Sequence, residues 1–159
     1  MDEIRDVEFV VFTDRDTGLY KQLAPHMLLM QSNLIYQELV SMMAALGYEG
    51  EAPPQVAKED WWSGSLLVAY NDERVHGYVS LKPESDKGAK ILSLYVHEQS
   101  RRFGIATELL KRIEELAATA GYQHLSLEVM HDNSRAEALY AARGYAFTTK
   151  KMVKMVEPD

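Results

Sequence analysis

The chain has 159 residues, 47% of them hydrophobic, which suits one domain with a substantial core. Acidic residues outnumber basic ones 24 to 17, for a formal net charge of −7, so nucleic-acid binding by broad phosphate neutralisation is not expected. There is no cysteine, which excludes a disulfide framework and a thiol nucleophile. In chain order, the β-branched and aromatic residues 7–13 predict a first strand. Pro25 suits a first helical position, and Met27 to Leu46 carries dense apolar residues at helical spacing, closed by Gly47. Met27, Met30, Leu34, Met42 and Met43 are read as packing residues of that helix. Residues 47–64 hold glycines and prolines and predict an irregular connection. Trp61 and Trp62 at its end are read as packing at the edge of a core.

A β-hairpin is predicted next, Leu66–Tyr70 and Val75–Leu81 around a turn at Asn71, Asp72 and Glu73. A loop from Pro83 to Gly88 leads to a strand over 89–97. Ile105, Leu109, Leu110, Ile113, Leu116, Ala117 and Ala120 share one face of a helix from about 104 to 120, with Gly121 as its stop. Leu125, Leu127 and Val129 then alternate with Ser126, Glu128 and Met130, which predicts a strand of period two. Ser134 and Glu137 form a capping-box pattern that opens a last helix. Residues 145–156 read as a terminal strand or hairpin. With no repeat, low-complexity tract or linker, the chain reads as a single α+β domain over residues 1–159.

The acidic N-terminal residues lack the apolar stretch of a signal peptide, and no apolar run approaches the ~20 residues of a membrane span. The expectation is a cytoplasmic protein with no membrane partner. The five histidines show no metal-ligand spacing such as H-E-x-x-H, so no metal is implied.

Two segments carry chemistry. Arg101-Arg102-Phe103-Gly104-Ile105-Ala106 joins a predicted strand to a predicted helix. A helix start offers unpaired N–H groups and a positive dipole end, and a glycine lets phosphate oxygens come close. Arginine adds charge-assisted hydrogen bonds. The second segment is Asn133-Ser134-Arg135-Ala136-Glu137-Ala138-Leu139-Tyr140, followed by Gly144-Tyr145. A dinucleotide-binding oxidoreductase is excluded, because the first segment lacks G-x-G-x-x-G.

Together these segments resemble the GNAT family of N-acetyltransferases. Arg101, Gly104 and Ala106 meet its motif Gln/Arg-x-x-Gly-x-Gly/Ala. Asn133, Ala136, Leu139, Tyr140 and Gly144 meet N-x-x-A-x-x-L-Y-x-x-x-G-F, with Tyr145 at the aromatic position. Leu127-Glu128-Val129 is also locally similar to ribosomal-protein N-terminal acetyltransferases. The resemblance is clear from about residue 66 to 150. Ala106 departs from it where glycine is common, and Glu98 where proline often follows the strand.

The resemblance implies an α/β (α+β) fold, with a mixed, mostly antiparallel sheet flanked by helices and a splayed strand pair that binds the cofactor. It implies acetyl-CoA as cosubstrate and direct transfer to a primary amine, on a peptide or protein N-terminus, a lysine or a small molecule. A homodimer is compatible with it. Leu94, Tyr95 and Val96 would meet the pantetheine arm through backbone groups, as an added strand would. A backbone N–H near Val96 is a candidate oxyanion donor. Arg101, Arg102, Phe103, Gly104, Ile105, Ala106 and Thr107 would hold the pyrophosphate. Asn133 has two compatible readings, as cofactor contact and as helix cap.

Amine acetylation sets three tasks. A lysine-type amine, with a reference pKa of ~10.4, is unprotonated in about one molecule per 10³ at pH 7, so a proton must be removed. An oxyanion must be stabilised, and the departing thiolate must be protonated. Tyr140 is the candidate acid, since a phenol with a reference pKa of ~10 is well matched to a thiol. Glu128 is the candidate base, with Glu98 and water as alternatives, and His131 lies between Glu128 and Asn133. A non-catalytic acyl-CoA-binding regulator is the alternative function. The presence of both Glu128 and Tyr140 argues against it.

Overall fold

The computed structural model describes residues 4–154 and 156. Five strands lie in one sheet in chain order: β1 (Glu8–Phe12), β2 (Ser65–Tyr70), β3 (Val75–Pro83), β4 (Gly88–Val96) and β5 (His124–Ser126). The first four pair antiparallel, and β5 joins β4 in parallel. The helices are α1 (Gly18–Ala45), α2 (Ile105–Thr119) and α3 (Ser134–Ala142), with a short 3₁₀ turn at Glu98–Ser100. This is the mixed, mostly antiparallel sheet flanked by helices that the sequence led us to expect. Contacts divide the chain into two units, Met1–Leu34 with Val56–Glu128, and Ile35–Gln55 with Val129–Asp159.

In the first unit the strand period sorts residues to two faces of the sheet. Leu66 and Val68 of β2 stand opposite Ser80 and Tyr78 of β3. Leu66, Val68 and Tyr78 form one core cluster with Tyr20, Leu23, Met27 and Met30 of α1, together with Phe12, Trp62, Val75 and Tyr95. The intervening residues Leu67 and Ala69 stand opposite Val79 and Gly77. That face receives α2, whose apolar stripe buries Ile105, Leu109, Leu110, Ile113 and Ala117. Each such leucine or isoleucine contributes about 1.5–3 kcal/mol of burial. A Cβ at Gly77 would lie 2.8 Å from the Tyr95 carbonyl oxygen and 3.1 Å from Leu109 Cδ1, so helix and sheet meet closely there. The Arg112 guanidinium lies 4.0 Å from the centre of the Phe9 ring on β1.

The tryptophans are packing residues, as expected. Trp62 is buried and donates from Nε1 to the Tyr20 hydroxyl at 2.8 Å. Trp61 sits 5.0 Å from the Tyr78 ring. The hairpin turn is held by Asn71, whose Oδ1 accepts from Glu73 N–H at 2.9 Å and Arg74 N–H at 3.2 Å.

In the second unit, α1 ends where Gly47 N–H bonds the Ala44 carbonyl and Tyr48 N–H bonds that of Met43, as the glycine predicted. The Ser41 hydroxyl donates to Asp132 and holds that carboxyl below the usual range. His131 Nε2 meets the Ser41 carbonyl oxygen at 3.0 Å.

Four expectations are corrected. The first helix begins at Gly18, well before Pro25, which lies inside it. Thr17 supplies the cap, with its Oγ1 accepting from Tyr20 N–H at 3.1 Å, and burial of Tyr20 and Leu23 offsets the interior proline. Met42 is exposed, while Met27 and Met30 are buried. The strand expected over residues 125–130 stops at Ser126, because pairing with β4 ends at Lys90 opposite Ser126. Without a ladder the alternation of residues 127–130 yields no strand. Residues 145–154 and 156 likewise form no strand, having β-propensity without a partner edge.

Candidate active site

The segment from β4 into α2 has three backbone irregularities. Ser80 stands opposite Leu92 and Tyr78 opposite Tyr95, so Ser93 and Leu94 together face Val79 as a bulge, and Ser93 has φ 54°. A bulge of this kind bends a strand and breaks its ladder. Two links from α1 pin it. Gln31 Nε2 donates to Ser93 Oγ at 3.1 Å, while Gln31 Oε1 accepts from the buried Tyr78 hydroxyl at 2.9 Å. Nearby, Asn33 Nδ2 donates to the Tyr95 hydroxyl at 2.6 Å. Gln31, Ser93 and Tyr78 were not singled out in the sequence. The available signal was a glutamine at a helical position continuous with Leu23, Met27 and Met30.

The other two irregularities are Arg102, φ 73°, and Gly104, φ 79°. Left-handed residues at alternate positions turn successive N–H groups toward one concavity, a shape suited to anions. Gly104 is the N-cap of α2 and offers no side-chain cap. The first bond of the helix runs from Glu108 N–H to the Gly104 carbonyl at 3.0 Å. The N–H groups of Ile105, Ala106 and Thr107 therefore precede the helical ladder, as helix starts require. A Cβ at Gly104 meets nothing within 4 Å. These features fit a pyrophosphate, and Arg102, Phe103 and Thr107 are exposed around them. Arg101 is exposed too; its Nε donates to the Val96 carbonyl at 3.1 Å and its guanidinium lies 5.5 Å from the Tyr95 ring centre. It thus braces the end of β4 as well as adding charge.

A non-glycine residue in the left-handed region costs about 1–2 kcal/mol. Arg102→Gly should accordingly raise the thermal midpoint by roughly 2–8 °C, yet weaken coenzyme A binding by removing a cation. A calorimetric melt and a coenzyme A titration of the same sample check both signs.

Leu94 and Val96 are half-buried and Tyr95 is buried. The parallel pairing of β4 with β5 covers Gly88, Ala89 and Lys90. The ladder between the two strands lies at the start of β4, away from the bulge, and β5 ends with it at Ser126.

Glu128 follows β5 rather than lying on it, which corrects its expected place on a strand. Its carboxylate pairs with Lys90 Nζ at 3.3 Å, with 77% of its side chain exposed. Glu98 opens the 3₁₀ turn and is exposed.

In the second unit, Asn133 caps α3, with Oδ1 accepting from Ala136 N–H at 3.1 Å. That corrects the predicted capping box, since Ser134 is the first helical residue rather than the cap. Tyr140 is half-buried on α3, with its ring 6.0 Å from that of Tyr145 in an edge arrangement. Burial, then the Glu38 carboxylate, push its phenol above the usual range, so it stays protonated throughout neutral pH. The helix ends as Tyr145 N–H bonds the Tyr140 carbonyl at 3.0 Å across Gly144, φ 94°.

His76 and His97 are both shifted below the usual histidine range by burial and then by Arg74, with Glu73 opposing at His76 and Glu98 at His97. Smaller lowering effects come from His97 at His76 and from Arg101 at His97. An imidazole held neutral in the folded chain binds fewer protons than in the unfolded chain once pH drops below about 6.5. Stability should therefore fall as pH falls through that window and be unaffected above it. Urea unfolding at several pH values should show the midpoint decreasing on acidification from about pH 6.5.

Among the described residues, no group of three or more histidine, aspartate or glutamate side chains could hold a metal ion, and no helix is long and apolar enough to cross a membrane.

Residues 34–145 match the model of the acetyltransferase (GNAT) family. A thialysine N-epsilon-acetyltransferase from Caenorhabditis elegans is 30% identical, over 72% of this chain and 79% of that protein. An IAA acetyltransferase from Bacillus cereus ATCC 14579 shares the fold with a TM-score of 0.61 at 17% identity, over 91% of this chain and 79% of the other. A PaiA N-acetyltransferase from Thermoplasma acidophilum, in complex with coenzyme A, shares it with a TM-score of 0.51 at 24% identity, over 54% of each chain. With its bulged β4, its open turn into α2 and a family match that covers well over half its length, the chain belongs to the GNAT family and is an N-acetyltransferase.

Proposed function

We propose that the chain transfers the acetyl group of acetyl-CoA directly to a primary amine, with Tyr140 as acid and Glu128 as base. The observation that carries this reading is the turn from β4 into α2, where Arg102 and Gly104 are both left-handed and α2 starts without a side-chain cap. The residues that would hold the cofactor are Arg101 to Thr107 at the pyrophosphate and Leu94 to Val96 along the pantetheine arm, with Asn133 as a further contact. When bound, acetyl-CoA supplies an activated acetyl group. Glu128 takes a proton from the acceptor ammonium, and the Tyr140 phenol gives one to the departing sulfur. No protein nucleophile is needed, in keeping with a chain that has no cysteine.

The acceptor to try first is a small molecule with a terminal primary amine. Support comes from the Caenorhabditis elegans relative, whose name specifies the epsilon nitrogen of thialysine, and from the net charge of −7, which favours approach of a cation. Peptide N-termini and protein lysines belong in the same panel. Thiol release from acetyl-CoA should rise with at least one amine. Coenzyme A binding with no release across the panel would favour the regulatory module instead.

Glu128→Gln should leave stability almost unchanged, since an exposed ion pair contributes little, and should flatten the acidic limb of the pH–rate profile. An unaltered limb in steady-state kinetics would pass the base role to Glu98 or water.

A further inference from the structure

Within the first unit, β3 and the residue just before it are tied to the start of the cofactor turn at three points. His97 N–H donates to the His76 carbonyl at 2.8 Å. Arg74 Nη1 donates to Gln99 Oε1 and lies 3.3 Å from His97 Nδ1. The third link is the most costly. His76 Nδ1 and Ser100 Oγ are 2.7 Å apart, on residues only 3% and 1% exposed. The other ring nitrogen, Nε2, is buried with no hydrogen-bond partner among the described residues. A buried polar atom left unmatched weakens a fold, and a valine or leucine at position 76 would avoid that penalty on a strand buried from Val75 to Leu81. What the histidine provides is a fixed grip on Ser100, the residue immediately before Arg101. From there the backbone passes through two left-handed residues, Arg102 and Gly104, within four positions. Such a conformation persists only where its surroundings over-determine it.

From this we infer that His76, through Ser100, is a positioning residue for coenzyme A: the pair fixes the entry to the turn, so that the first N–H groups of α2 are already aimed when the pyrophosphate arrives. This rests on the acetyl-CoA reading above. The gain is preorganisation, because a turn ordered beforehand loses less freedom on binding. His76 touches neither cofactor nor acceptor in this role, so the effect should fall on affinity and spare the chemical step.

The experiment is calorimetric titration of coenzyme A against the full chain, as wild type, His76→Leu, Ser100→Ala and His76→Asn, each checked by circular dichroism. His76→Leu and Ser100→Ala should each weaken binding about tenfold. His76→Asn keeps a polar group close to the Nδ1 position and should stay within about threefold of wild type. With an acceptor in hand, KM for acetyl-CoA should rise in the two disruptive variants while kcat stays within about twofold. Should His76→Leu fail to fold, Ser100→Ala, which removes a single hydroxyl, carries the test. A lower thermal midpoint with unchanged affinity would show that the pair supports the fold and not the turn, and would overturn the inference. Wild type failing to bind coenzyme A would instead remove the acetyl-CoA reading itself.

Discussion

Tyr140→Phe should lower kcat by about 10²-fold or more and leave coenzyme A affinity nearly unchanged. The substitution keeps the ring and its edge contact with Tyr145, so the change is confined to the hydroxyl. Burial and the Glu38 carboxylate raise the phenol above its usual range. A raised phenol remains a proton donor throughout neutral pH, but it is a weaker acid than free tyrosine. Its value as a donor therefore depends on charge developing at sulfur in the transition state, where the proton affinity of sulfur rises above that in the thioester. Removing Glu38 should shift the donor back toward its usual range, so Glu38→Gln should lower the pH at which the basic limb of kcat begins. Steady-state kinetics over a pH series would measure both. Turnover within a few-fold of wild type for Tyr140→Phe would take this residue out of the mechanism.

Gly104→Val should abolish measurable coenzyme A binding and also destabilise the free protein. The two losses have separate causes. Because a Cβ at Gly104 meets nothing within 4 Å, the free chain has no clash to relieve. Its penalty comes from holding a β-branched residue at φ 79°, roughly 1–3 kcal/mol. Binding suffers because the new side chain projects from the backbone that phosphate oxygens must approach. Gly104→Ala separates the effects, with similar backbone strain and less bulk. Thermal melts of both variants, set beside coenzyme A titrations, should show comparable destabilisation but a larger binding loss for valine. Tight binding by folded Gly104→Val would contradict the placement of the pyrophosphate.

Hydrophobic period and turn residues made most of the sheet readable. Leu66–Tyr70, the Asn71 turn and Val75–Leu81 were placed within two residues because the polar turn and the apolar runs agree. The stripe from Ile105 to Ala117 placed α2 for the same reason. What failed depended on partners distant in sequence. Residues 127–130 alternate as a strand should, yet β4 parts from them after Lys90, and a strand without a ladder is not one. Pro25 resembled a helix start because proline is favoured there, but Thr17 supplied a better cap. At the site, Arg101 to Thr107 could be located from the motif, since glycine before an apolar stripe marks the junction of turn and helix. The bulge at Ser93 could not be, because it arises from a register shift between β3 and β4 that no local pattern encodes. His76 was equally hidden: a single histidine in a strand carries no mark of the serine that meets it twenty-four residues later.

The close meeting of α2 with the sheet at Gly77 has a bearing on how mutational data for this enzyme should be interpreted. Any side chain at that position would press on the Tyr95 carbonyl of β4 and on the end of the Leu109 side chain of α2, so strand or helix must give way. Either shift reaches the turn that joins them. Gly77 therefore behaves as a spacer beneath the turn proposed to hold the pyrophosphate. A substitution scan scored on cofactor retention would rank it beside Gly104, although it lies on the sheet and reaches no ligand. In such a scan, loss of binding measures the fit of a helix on its sheet as readily as it measures a contact.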